Sequence, residues 1–320
     1  MNAYFNSIET IIFMEGIIVK TTGHLYHVLS DNGEMVECNL KGNFRMHSIS
    51  STNPIVVGDR VCFEKNTHQV ATITSIKPRF NEMVRRSSNL SKQAHILAAN
   101  IDLAALVVSV NYPETSTVFI DRFIAAAESF KIPVVIVINK IDLYDAVELE
   151  QVAAWKELYQ SIGYPCYSVS ARNDEGVDAL RKLLENKITL LSGNSGVGKS
   201  SLLNLLVHHS EMKTRAISEY HNKGMHTTTF SEMFPMNDGG FVIDTPGIKG
   251  FGMVNIPPEE VGHYFRELFE ISSQCKFYNC THLHEPGCAV IEAVQDSRIH
   301  LSRYTSYLSI VDEYEKGKYR

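Results

Sequence analysis

Apolar and polar positions alternate over the first quarter of the chain. Short runs at 16–19, 25–29, 35–40, 61–64 and 70–76 are separated by turn signals such as Asp31-Asn32-Gly33 and Val57-Gly58-Asp59. A period of two between turn residues marks half-buried strands. Five such strands within residues 14–77 predict a small closed β-barrel, for which the OB-fold is the commonest solution. The pattern changes after residue 100. Continuous apolar runs at 103–110, 134–138 and 188–191 read as buried strands, and helical patterns at 117–130, 148–161 and 176–186 lie between or after them. Buried strands alternating with helices predict a mostly parallel sheet with flanking helices. Helical character returns in the last sixty or so residues. The expected organisation is a barrel over 1–78, a linker over 79–95, an α/β domain over 96–255 and a helical segment over 256–320.

Composition narrows the picture. The chain has 320 residues, 44% hydrophobic and 21% charged, with a net charge of −6. It is therefore expected to fold rather than stay disordered. Attachment to nucleic acid by bulk positive charge is disfavoured. A local patch is still available at 79–95, where Arg79, Arg85, Arg86 and Lys92 face only Glu82 in sequence. Arg79, Arg85 and Arg86 are the candidate nucleic-acid contacts, a solvated linker being the alternative. No run approaches the roughly 20 apolar residues of a membrane span. The first basic residue is Lys20, so the charged start of a signal peptide is missing. The expectation is a cytoplasmic protein with no membrane partner, and a monomer.

The chemistry is concentrated in a few short motifs. Residues 188–192 form an apolar strand, and Gly193-Asn194-Ser195-Gly196-Val197-Gly198-Lys199-Ser200 follows, with Ser201 opening a helix. This is a phosphate-binding loop in its strand–loop–helix setting. Its glycines let backbone N–H groups converge on phosphate oxygens, and the helix N-terminus adds positive potential. Lys199 would reach the β- and γ-phosphates, and the Ser200 hydroxyl would ligate Mg²⁺.

Asn139-Lys140-Ile141-Asp142 ends the strand at 134–138. A carboxylate at Asp142 can accept from both N1–H and the 2-amino group of guanine, whereas adenine would leave it unpaired. Ser170-Ala171 resembles the loop whose backbone N–H meets the guanine carbonyl. Asp244-Thr245-Pro246-Gly247 fits the D-x-x-G loop, with Asp244 on Mg²⁺ and the Gly247 N–H on the γ-phosphate. Between the two lies Met225-His226-Thr227-Thr228-Thr229, in the place of switch I. Thr228, or else Thr227, would ligate Mg²⁺ when the γ-phosphate is present. Ile248 follows Gly247 where many GTPases carry a water-orienting Gln. His226 is a candidate for that task, and a purely structural switch residue is the alternative.

Two features make the combination unusual. The guanine-recognition motifs at 139–142 and 170–171 precede the phosphate loop and switches, so the domain is circularly permuted. In addition, Cys275, Cys280 and Cys288 crowd into fourteen residues with His282 and His284 beside them. Three thiols and one imidazole form a closed set suited to structural Zn²⁺, and spacing alone leaves His282 and His284 both open. Cys38, Cys62 and Cys166 are scattered and read as small buried hydrophobes.

Taken together, the barrel, the permuted motifs with Gly-Asn-Ser-Gly-Val-Gly-Lys-Ser and His-Thr-Thr-Thr, and Cys-x4-Cys-x-His-x5-Cys resemble the small ribosomal subunit biogenesis GTPases of bacteria (RsgA/YjeQ type). The resemblance spans nearly the whole chain. It implies an OB-fold N-terminal domain, a zinc-binding C-terminal domain, and GTP hydrolysis to GDP and phosphate stimulated by the small ribosomal subunit and its rRNA. It also implies the ligand set Cys275, Cys280, His282 and Cys288. Gly196 stands where potassium-activated relatives carry Asn, so potassium activation is not expected. The alternative expectation is a nucleotide-gated RNA-binding assembly module in which hydrolysis only times release.

Overall fold

The computed structural model describes residues 12–23, 25–40, 55–65, 70–86, 94–207, 231–244 and 256–315. Five strands build the N-terminal unit: β1 Ile12–Thr22, β2 Leu25–Ser30, β3 Met35–Leu40, β4 Arg60–Lys65 and β5 Ala71–Ile76. They pair in the order β1-β2-β3-β5-β4, and β4 returns to β1, closing a barrel. The β3–β5 pair is parallel and the other pairs are antiparallel. Alternation decides what fills it. Ile18, Val28, Cys38, Val61, Phe63 and Ile73 are fully buried inside. Each such side chain contributes roughly 1.5–3 kcal/mol by leaving water. Their neighbours Ile17 and Val19 point the other way, into the core shared with the rest of the molecule.

The basic stretch is not a linker. Strands β6 Glu82–Arg86 and β7 Ala94–Ala99 form a two-stranded antiparallel sheet. Arg79 just before it is drawn inward. Its guanidinium donates to both oxygens of the buried Asp59, at 2.7 and 2.8 Å, and to Glu82 at 2.7 Å. Its side chain is only 10% exposed. Two carboxylates already occupy the guanidinium fork that a phosphate would need. The side chains of Arg85 and Arg86 lie outside the described residues.

The α/β unit follows. Strands β8 Leu103–Val108, β9 Val134–Ile138, β10 Cys166–Ser168, β11 Ile188–Ser192, β12 Glu232–Pro235 and β13 Phe241–Asp244 lie in the order β10-β9-β8-β11-β13-β12. All pairs are parallel except β12–β13. The central strands are buried on both faces, which explains their continuous apolar runs. In β8, Ala104, Leu106 and Val108 face helices α1 (Thr117–Ser129) and α2 (Ala146–Ser161), while Leu103, Ala105 and Val107 face α3 (Val177–Leu184) and α4 (Lys199–Leu206). Helix α2 starts at Ala146 because Asp145 and Glu148 form a reciprocal capping box ahead of it. Barrel and sheet are continuous, since β12 pairs with β1 through Lys20 and Glu232.

Helices α5 (Arg266–Ser272), α6 (Ala289–Gln295) and α7 (Leu301–Glu315) make the C-terminal unit. It packs on the α1/α2 face through Phe265, Leu268, Tyr307 and Ile310. Arg303 fastens it there, donating to Asp121 of α1 at 2.7 Å and to Glu267 of α5 at 2.6 and 3.2 Å. Burial opposes the guanidinium charge, but the two carboxylates hold the Arg303 pKa above its ordinary value. Among the described residues, no helix is long and apolar enough to cross a membrane.

Candidate functional site

The carboxyl ends of β9, β11 and β13 converge, and each carries one of the expected motifs. In α/β sheets this edge is where ligands bind. After β11 the chain turns through Gly193 (φ +146°) and Gly198 (φ +97°). A Cβ on Gly193 would stand 2.1 Å from the Val107 carbonyl, and one on Gly198 would stand 2.2 Å from the Asn139 amide. Only glycine fits at either place. Asn194, Ser195, Gly196 and Val197 complete the loop, and α4 opens at Lys199, Ser200 and Ser201. The Lys199 ammonium lies within the loop, donating to the carbonyls of Gly193 at 2.8 Å and Asn194 at 2.7 Å. Burial lowers its pKa and the nearby Asp244 carboxylate raises it.

Asn139 joins three segments. Its Nδ2 donates to the Val197 carbonyl at 2.9 Å, and its Oδ1 accepts the Ala171 N–H at 2.9 Å. Its own carbonyl accepts the Tyr144 hydroxyl at 2.7 Å, and that hydroxyl accepts the Val110 N–H at 2.9 Å. Asp142 is held by the Ser170 hydroxyl, which donates to Oδ1 at 2.6 Å. Lys140 sits at φ +71°, and its ammonium donates to the Tyr112 carbonyl. The structure thus brings Asn139, Lys140, Asp142, Ser170 and Ala171 against the loop at 193–200. Tyr144 was not legible in sequence, because nothing in a lone tyrosine two residues past the motif announces a hydroxyl bridging two loops.

Asp244 closes β13 beside this loop. Burial pushes its carboxyl up, the Lys199 ammonium pulls it down, and Glu232 on the neighbouring strand adds to the upward push. A partly buried carboxylate at the strand end beside the phosphate loop suits a hard divalent cation. Thr227, Thr228, His226, Gly247 and Ile248 lie outside the described residues.

A second centre sits in the C-terminal unit. Among the described residues, Cys275, Cys280, His282 and Cys288 bring their ligand atoms within 4.8 Å of one another. His282 Nδ1 is 3.4 Å from Cys288 Sγ and 3.6 Å from Cys275 Sγ, and those two sulfurs are 3.9 Å apart. A tetrahedral zinc with Zn–S of about 2.3 Å and Zn–N of about 2.0 Å needs edges of about 3.8 and 3.5 Å. The donor set and spacing therefore fit zinc. His282 belongs to the cluster, and His284 is exposed outside it.

The loop holding these ligands is organised by Glu285. Its carboxylate accepts the N–H groups of Thr281 at 2.7 Å, Leu283 at 3.0 Å and His284 at 3.1 Å, and the Thr281 hydroxyl. Partial burial works against its charge, but these donors lower its pKa to about 2. Tyr304 donates to the His282 carbonyl at 2.7 Å, and Tyr307 to that of Thr281. Sequence reading missed all three supports, since all their partners but the Thr281 hydroxyl are backbone groups.

Comparison with known proteins agrees with this geometry. The RsgA GTPase family profile matches residues 76–254, and the RsgA N-terminal domain profile matches residues 15–73. Small ribosomal subunit biogenesis GTPase RsgA 2 of Bacteroides thetaiotaomicron is 57% identical over 307 residues, covering 96% of this chain and 99% of the relative. The Bacteroides fragilis protein named small ribosomal subunit biogenesis GTPase RsgA is 58% identical over the same shares. Among solved structures, YjeQ from Thermotoga maritima is similar with a TM-score of 0.77 and 35% identity, over 94% of this chain and 98% of that one. YloQ, titled a circularly permuted GTPase, has a TM-score of 0.75 and 31% identity over the full length of both. With both family profiles, long relatives at this identity and the permuted motif order on one sheet edge, the chain belongs to the RsgA GTPase family.

Proposed function

We propose that the chain works in the biogenesis of the small ribosomal subunit, as its relatives' names state for them. It hydrolyses GTP to GDP and phosphate. The observation that carries the mechanism is Asn139, whose side chain ties the guanine-recognition loop to both the phosphate loop and the 170–171 loop. Base identity and phosphate position are then read by one connected framework.

In this reading Asp142, oriented by Ser170, accepts from guanine N1–H and the 2-amino group. Lys140 covers the base, and the Ala171 segment meets the guanine carbonyl. Loop 193–198 cradles the phosphates through backbone N–H groups, with the start of α4 behind them. Lys199 exchanges its two carbonyl partners for β- and γ-phosphate oxygens, countering the charge that grows on transfer. Ser200, Asp244 and Thr228 hold Mg²⁺, which when bound neutralises the phosphate oxygens. Gly247 senses the γ-phosphate, and His226 orients the attacking water in place of the glutamine that Ile248 replaces. Cys275, Cys280, His282 and Cys288 hold one structural Zn²⁺, which cross-links the C-terminal loop. The protein acts as a cytoplasmic monomer, and its contact with the subunit includes rRNA.

The test measures GTP hydrolysis by the protein alone, with purified small subunits and with large subunits. Stimulation by small subunits only is the expected result. Equal rates in all three reactions would remove the ribosomal assignment. A hydrolysis-deficient Thr228→Ala variant should bind the small subunit with GTP and fail to leave it.

A further inference from the structure

The barrel meets the GTPase sheet at one cross-strand pair. Lys20 of β1 stands opposite Glu232 of β12, and their side chains form an ion pair at 2.9 Å. One strand further on, Glu232 stands opposite Asp244 of β13. Residues directly opposed in an antiparallel pair share a face of the sheet, with Cβ atoms about 4.5–5.5 Å apart. Three charged groups from three adjacent strands therefore line up: an ammonium on the barrel, a carboxylate at the junction, and the carboxylate assigned to Mg²⁺. Like charges directly opposite one another destabilise a sheet. Glu232 beside Asp244 is such a pair, and Lys20 offsets it from the barrel side.

We propose that Glu232 is a positioning residue that strengthens the hold of Asp244 on Mg²⁺, and that Lys20 sets how much of its charge the cation feels. With Lys20 paired, the Glu232 charge is largely cancelled. With Lys20 drawn elsewhere, the second carboxylate acts in full and the cation is held more tightly. The Lys20 side chain is 38% exposed, so an RNA phosphate arriving on the barrel can compete for its ammonium. RNA on the barrel then favours Mg²⁺ at the nucleotide, and by linkage Mg²⁺ at the nucleotide favours RNA on the barrel. The inference rests on the reading of Asp244 as an Mg²⁺ residue.

The experiment follows release of a fluorescent GDP from the full chain as free Mg²⁺ is varied. It compares wild type, Glu232→Gln, Lys20→Met and the double variant. Glu232→Gln should raise the half-saturating Mg²⁺ concentration roughly two- to fivefold, and Lys20→Met should lower it by roughly the same factor. The double variant should return close to wild type. Lys20→Gln serves as a second neutral variant should Lys20→Met fold poorly, and the same decrease is expected. A merely structural ion pair would behave differently, because either deletion breaks it. Both single variants would then shift Mg²⁺ dependence in the same direction, or neither would, and either result overturns the inference. A wild-type release rate indifferent to Mg²⁺ would instead overturn the assignment of Asp244, and the inference with it.

Discussion

Asn139 and Val197 are joined across 58 residues of chain, the amide of one donating to the carbonyl of the other at 2.9 Å. The same side chain accepts from Ala171, so its removal orphans two buried backbone groups. Each orphan costs about 1–3 kcal/mol. Asn139→Ala should weaken GDP and GTP binding roughly tenfold or more, because it loosens both loops that face the nucleotide. Titration with a fluorescent nucleotide checks this.

Asp142 should govern which base is accepted. Asp142→Asn replaces an acceptor pair with one acceptor and one donor. Guanine then loses a partner, while xanthine, which carries a carbonyl at C2, gains one. Competition between GTP and XTP for the variant should therefore favour XTP by roughly a hundredfold or more. Equal loss of both nucleotides would mean that Asp142 only braces Ser170.

Zinc should be measurable directly. Elemental analysis of the purified protein should find about one zinc per chain. Cys280→Ser should lose it and His284→Ala should keep it, since His284 stands outside the cluster. A strong chelator should lower the melting temperature by roughly 5–10 °C, because ligand binding to such a site is also folding energy.

Arg303 is a fully buried charge that ties the C-terminal unit to α1. Asp121 and Glu267, both buried, share its guanidinium. Arg303→Ala leaves two carboxylates without their cation and should destabilise the protein by about 3–5 kcal/mol, read from urea unfolding. Arg303→Lys should rescue only in part, since a single ammonium cannot reproduce three directed N–H bonds.

Arg79 separates structural from RNA-binding charge. With Asp59 and Glu82 on its guanidinium, Arg79→Gln should lower stability. It should leave the salt dependence of subunit binding unmoved, whereas losing a phosphate contact would flatten that slope by about one unit.

Much of this was legible in the chain. Barrel strands announce themselves through alternation, because one face of each is wet. The phosphate loop announces itself because its glycines are sterically required, as the contacts awaiting a Cβ at positions 193 and 198 make plain. What escaped was pairing at a distance. Arg79 reads as a free cation until Asp59, twenty residues upstream, is folded against it. The β6–β7 hairpin hid behind charges that suggested a solvated linker. Glu285 and Tyr144 escaped because their partners are mostly main-chain atoms, which no residue pattern displays.

The barrel closes on itself through β1 and β4, and the far end of the continuous sheet is β10, a strand of three residues. A sheet normally exposes two long edges, each a template on which another chain can add. Here the free edges among the described residues are short: β10 at one end, and the part of β12 beyond Glu232, which meets the barrel only through the Lys20–Glu232 pair. Eleven joined strands thus leave another chain only a few residues of unpaired backbone on which to add a strand.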